Sequence, residues 1–417
     1  MKTKAVELIE EIGLDSIAGW NSWNSFTETI LRFEAPPSNA NVVQFSRDCT
    51  TAFDASDPST YYYPIGQVFE PDVLREVCEI QGIAFSDALS LDYGSGPRID
   101  ELRRRWSCRE DLAPTERLVL ASALVTLSRF EAARQVLDVP DHSNTDTRYA
   151  FESALLRYII GNRSEGRELS PHAMHEVRSI VERGGVPIDR VLDACGLAVV
   201  WYIKGVGVAK SDFAWFARHG DRLIVEKGDR IPALSRSAWF RGVAMLTAEL
   251  GDARKTRELM VRASDAANSA NSAGDGVFAE NLHKTYLESS TKEFMYVSRD
   301  EERAVASATE LTELDPHWSV SIGELADALA FFGRAEESAR TYDRAADLGA
   351  PYVSHHVRRA AAQYEKAGML GEAVDRHLLA AIMLPDPDSS LAAAERLSTQ
   401  STSSARRSFE RVVSSLS

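Results

Sequence analysis

Two glycine turns set 35 residues apart constrain this chain more than any other feature. Gly333-Arg334-Ala335-Glu336-Glu337-Ser338 and Gly368-Met369-Leu370-Gly371-Glu372-Ala373 place a glycine, a short acidic turn and a small residue in the same order. Apolar residues precede each turn at helical spacing: Ile322, Leu325, Ala326 and Leu329 before the first, Val357, Ala360, Ala361 and Tyr364 before the second. A second helical pattern follows each turn: Ala339, Tyr342, Ala345, Ala346 and Leu348, then Val374, Leu378, Ala381 and Ile382. Recurrence at i, i+3, i+4 and i+7 predicts amphipathic helices. Small residues at the crossings let paired helices pack closely and antiparallel, and Pro351 and Pro385 stop the second helix of each pair. Such a unit buries its apolar face only by stacking on its neighbours. The expected fold is therefore all-α, an α-solenoid of helix hairpins.

The pattern resembles tetratricopeptide (TPR) repeats, whose period is about 34 residues. The matching residues are the pairs Leu325-Ala326 and Ala360-Ala361, then Leu329 or Tyr364, the turn glycine, Ser338 or Ala373, Ala345 or Ala380, and a closing proline. The resemblance covers about 301–398. Fewer matches occur at 237–268 around Gly251 and at 116–138, where Ser128 stands in the glycine place. An earlier second helix ends in Ala304, Leu311, Leu314, Asp315 and Pro316, and its first helix, about 281–297, matches poorly. Gly251 and Gly333 are 82 residues apart, more than two periods, which predicts an insertion at Ser269 to Asp275. More helices are expected at Tyr149 to Ile160, Ser170 to Arg183 and Asp189 to Ile203.

The resemblance implies a concave face lined by the first helix of each repeat. The residues it turns inward are Arg241 and Met245, then Asp327, Ala330 and Phe331, then His355, Arg358 and Lys366. Such a mixed, partly basic face suits an acidic or extended peptide. The asparagine places of carboxylate-clamping repeats hold Asp327 and Ala362 here, which argues against that mode. The implied function is a non-catalytic scaffold or adaptor with a protein or peptide partner. A regulator sensing a peptide or small molecule is the alternative.

Residues 1–110 differ from the solenoid expected over 111–417. Pro71 to Gln81 reads as a helix, as do Lys2 to Ile12 and Ser25 to Phe33. Ala35 to Pro64, rich in Pro, Ser, Asn and Asp, reads as a long loop. This region is a helical cap or an interaction module. Trp20, Trp23 and Phe26 recur every three residues as one helical stripe, for core packing or for docking a partner. Tyr61-Tyr62-Tyr63 at the loop edge allows the same two readings.

Charge narrows the partners. Lys and Arg number 47 against 62 Asp and Glu, a formal net charge of −15. Nucleic acid and anionic membranes need clustered cations, so neither is expected as a partner. Arg103-Arg104-Arg105 is flanked by Asp100, Glu101, Glu110 and Asp111, an ion-paired surface. Cys49, Cys78, Cys108 and Cys195 have no zinc spacing and read as free thiols. The N-terminus shows no apolar leader pattern, and Ala194 to Ile203 is too short to span a bilayer, which takes about 20 residues. A cytoplasmic location follows as an expectation, and the sequon Asn162-Arg163-Ser164 is read as a chance match.

Enzymatic motifs are sparse. Leu91-Asp92-Tyr93-Gly94-Ser95-Gly96-Pro97 resembles the Gly-rich loop of S-adenosylmethionine-dependent methyltransferases, but no β-branched strand precedes it and a charged helix follows. A loop between helices is the plainer reading. His172, His175 and Glu176 share a helix face with no third ligand in sight, and His355 and His356 point in different directions. No cofactor, metal site or catalytic residue is assigned.

Overall fold

The computed structural model describes residues 26, 71–88, 90–92, 96–139, 147–163, 173–205, 207–272, 277–383 and 387–416. Among them the regular elements are helical and no strand occurs, so the fold is all-α and solenoid-like. It opens with α1 (Pro71–Gln81), α2 (Phe85–Ala88) and α3 (Pro97–Ser107). Next come α4 (Pro114–Thr126), α5 (Phe130–Leu137), α6 (Thr147–Arg163), α7 (Ala173–Arg183), α8 (Ile188–Ile203) and α9 (Lys210–Lys227). Hairpins then succeed one another. α10 (Ala233–Glu249) pairs with α11 (Ala253–Ser272), and α12 (Val277–Glu293) with α13 (Glu301–Leu314). α14 (Ser319–Phe331) pairs with α15 (Ala335–Asp347), α16 (Val353–Lys366) with α17 (Leu370–Met383), and α18 (Asp388–Ser398) with α19 (Ser403–Leu416). First helices of successive hairpins also touch, α8 on α10, α10 on α12 and α12 on α14.

One turn chemistry recurs. After α14, Gly333 takes φ 82° and donates its N–H to Ala330 O at 3.2 Å, while Arg334 N–H reaches Leu329 O at 2.9 Å. This double closure satisfies carbonyls that the helix end leaves bare, and it needs a left-handed residue at the bend. Gly368 repeats it, with Met369 N–H to Tyr364 O, and so does Gly251, with Asp252 N–H to Thr247 O. Ser128 completes the set at φ 59°, with Arg129 N–H to Leu124 O at 2.7 Å. A side chain at that φ costs about 1 kcal/mol, so serine holds the bend at some strain.

The small residues of the repeat pattern sit at the helix crossings. Ala326, Ala345, Ala360, Ala361, Ala373 and Ala380 are fully buried. Ser338, also buried, donates its hydroxyl to Ala326 O at 2.8 Å. One apolar cluster runs from Phe26, Val77 and Leu102 through α4–α10 to Leu397 and Val412.

The long interval between Gly251 and Gly333 is filled in part at the place its sequence suggests and in part by a π turn further on. α11 continues through Ser269 to Ser272 and is 20 residues long, where α15 has 13. A π turn, Phe294–Ser298, then extends α12 and ends in left-handed Arg299. Helix length and the π turn absorb much of the extra sequence; 273–276 lie outside the described residues. No described helix is long and apolar enough to cross a membrane.

Candidate binding site

Polar side chains cross the row of first helices. Arg241 on α10 donates from Nη1 to Thr285 O and Ser289 Oγ on α12, both at 3.4 Å. Lys292 on α12 donates to Glu324 Oε1 on α14 at 2.8 Å. Arg359 on α16 donates to Asp327 on α14, and Arg396 on α18 donates to Glu365 on α16 at 3.0 Å. These pairs join the first helices of successive hairpins. The exposed ones fix register more than they stabilise, since such pairs contribute about 0–1 kcal/mol.

A cavity of about 330 Å³ opens on this row between α14 and α16. Its wall is made by Val320, Gly323, Glu324 and Asp327 of α14, Tyr342 of α15, Pro351 and Tyr352, and Ser354, His355, His356 and Arg358 of α16. Glu76 closes it from α1, 278 residues earlier in the chain than Ser354. The Glu76 carboxylate accepts the Ser354 hydroxyl and lies 3.6 Å from the Arg358 guanidinium. One side of the cavity is organised by Asp327 Oδ1, which accepts both the Tyr342 hydroxyl and Arg359 Nη2, while Arg359 Nε donates to the Tyr342 oxygen at 3.0 Å. Burial, then the Asp327 charge and hydrogen bond, hold the Tyr342 phenol protonated.

His356 forms the floor. Its side chain is 2% exposed, and neither ring nitrogen has a hydrogen-bond partner. Burial, then the neighbouring His355 and Arg359, pushes its pKa down to about 3, so the ring is neutral. Gly323 makes room for it: a Cβ there would stand 2.9 Å from His356 Cε1. Tyr352 and Tyr342 flank the ring, with centroids 6.3 and 6.2 Å away.

Asp327, His355 and Arg358, three of the residues chosen from the sequence, meet at this cavity. The others do not. Arg241 is half-buried against α12, where burial lowers its pKa to about 10, and Met245 is half-buried farther along α10. Phe331 packs edge-on to Tyr296 at 5.1 Å, with Arg299 over its ring at 4.8 Å, in a separate cluster around Met295. Lys366 is exposed in the last turn of α16, where it complements the helix dipole. Phe26 is buried in the core, while Trp20, Trp23 and Tyr61 to Tyr63 lie outside the described residues. Sequence reasoning missed Glu76, Tyr342 and His356. The adjacency of His355 and His356 was the available signal: one ring is exposed and the other buried, as helical geometry requires.

The remaining motifs resolve simply. Asp92 follows helix α2, and Pro97 begins α3, so helices flank the Gly-rich segment where a methyltransferase would place a strand; 93–95 lie outside the described residues. Arg103 pairs with Asp100 at 2.8 Å, and Arg104 and Arg105 both pair with Glu101. His175 is exposed and lies 3.4 Å from the buried Asp212; His172 is outside the described residues. No cluster of metal-ligating side chains occurs among the described residues. Cys78 and Cys195 are buried free thiols, and Cys108 is an exposed one. No protein-family model and no curated protein matches the sequence.

Proposed function

We propose that the chain is a non-catalytic scaffold or adaptor of TPR-like hairpins that holds an acidic, extended segment of a partner protein along its row of first helices. The observation that carries this reading is the carboxylate already held there. Glu76 comes from the far end of the described chain and still lies against Ser354 and Arg358. A hydroxyl and a guanidinium presented together are a fitting receptor for a carboxylate. A partner's acidic group would take the place of Glu76, so the contact with α1 competes with binding. Local cations in a chain of net charge −15 would also steer an acidic partner to this face. The free thiols fit an encounter in the cytoplasm.

Fluorescence polarisation with a panel of acidic dodecapeptides against the full chain tests this. Arg358→Glu should weaken the best binders by about tenfold or more, or 1.4 kcal/mol, and Glu76→Ala should tighten them. The loss should shrink in high salt. Equal binding by wild type and both variants would place any partner elsewhere.

A further inference from the structure

The wall of the cavity behind Glu76 carries three carboxylates, Glu76, Glu324 and Asp327, and one guanidinium, Arg358. Glu324 gives Oε1 to Lys292, and Asp327 gives Oδ1 to Tyr342 and Arg359. The second oxygen of each carboxylate has no hydrogen bond. Neither Lys292 nor Arg359 lines the cavity. Arg358, the guanidinium in the wall, faces Glu76. His356 adds a ring nitrogen that lacks a partner although the residue is 2% exposed. A buried polar group left unpaired is destabilising, so a molecule that satisfies it gains affinity. Ser354 and His355 add polar groups, and the rest of the wall is apolar or aromatic: Val320, Pro351, the Gly323 backbone and the Tyr352 ring.

We infer that this cavity is a binding site for an organic cation that brings its own N–H donors on an apolar stem, a primary amine or a guanidine. The cationic group donates to Glu324 Oε2, Asp327 Oδ2 and the unprotonated nitrogen of His356. The stem lies along Tyr352, Val320 and Pro351, and the ring faces favour the charge. Neutral ligands leave the two carboxylate oxygens unmatched, and anions meet them with repulsion. The same chemistry arises from a free small amine or from a lysine or arginine side chain of a peptide. The Glu324–Asp327–His356 group and the Ser354–Arg358 pair line the same cavity but are different side chains, so the cation test reads Glu324 and His356 and not Arg358.

The test is calorimetry on the full chain with agmatine and tyramine, with 4-ethylphenol as the neutral counterpart of tyramine, and with a capped Gly-Arg-Gly peptide. The expected result is binding of at least one cationic probe about tenfold tighter than 4-ethylphenol. Glu324→Gln should weaken it by about fivefold or more. That variant leaves the Asp327–Tyr342–Arg359 group intact, so its folded state can be verified by an unchanged melting temperature. His356→Phe should weaken the same probe independently. Binding of the peptide alone identifies a side chain as the source of the cation, and binding of agmatine or tyramine a free amine; both support the site. Two results overturn it: no cationic probe binding at millimolar concentration, or cation binding that Glu324→Gln and His356→Phe leave unchanged in well-folded protein.

Discussion

The hairpins α10–α11, α14–α15 and α16–α17 share one glycine bend, whereas α12–α13 turns at Arg299 after a π turn, with Asp300 N–H on Phe294 O. In α14–α17 the helices have 13 or 14 residues and cross on alanines and Ser338. In α10–α13 the helices run to 20 residues, a π turn interrupts the path, and α12 is tied to the end of α13 by a buried ion pair, Lys284 to Asp315. Small residues allow close backbones at a fixed period, which is why the later hairpins repeat at 35 residues. Where crossings are less uniform, length can vary, and a specific polar contact holds the register instead. The comparison suggests that period follows from crossing chemistry, while the glycine bend recurs on both sides of it, at Gly251, Gly333 and Gly368.

Substitutions can break this contrast. Lys284→Met should cost the most, about 3–5 kcal/mol, because it strands the buried Asp315 carboxylate. Chemical denaturation of the full chain reads it, and a loss below 1 kcal/mol would mean that packing alone holds α12 to α13. Ala373→Phe should cost about 1–3 kcal/mol by overpacking the α16–α17 crossing, and an unchanged melting temperature would refute the crossing argument.

Titration sharpens it further. His356 is held neutral, with its pKa pushed down to about 3, against about 6.5 when unfolded. The unfolded chain therefore binds this proton first as the pH falls. The group's contribution is whole above about pH 6.5 and is lost below it by about 1.4 kcal/mol per pH unit, toward pH 3. The stability difference between wild type and His356→Phe should slope accordingly; a flat difference would show the ring to be solvated. Smallest is Ser128→Gly, which relieves a φ of 59° and should add up to about 1 kcal/mol. Gly333→Ala should lose a similar amount, and the two effects should have opposite signs in the same assay.

Much of the fold was legible because local chemistry writes it. The helix expected over Pro71 to Gln81 has those bounds, and Ser128 sits left-handed in the glycine place where the pattern put it. α9 was not foreseen, although Gly205 and Gly207 before it and Gly228 and Pro232 after it mark its ends. The site was legible only in part. Asp327, His355 and Arg358 all lie on first helices, which the repeat pattern marks as lining one face. Glu76 reaches them from 278 residues before Ser354, a distance that no local pattern encodes. Arg241 shows the opposite failure: its register placed it on the open face, but the closer approach of α12 covers it.

Hydrogen exchange at the amides of 75–81 tests the central claim, that the first-helix row holds a carboxylate, most directly. Arg358→Glu should raise exchange there by about tenfold or more, and adding Glu76→Lys should restore protection by reversing the pair. Exchange in α17 should not move. If α1 exchanges alike in wild type, the single variant and the double variant, the Arg358–Glu76 contact holds nothing, and the receptor assigned to this face is not one.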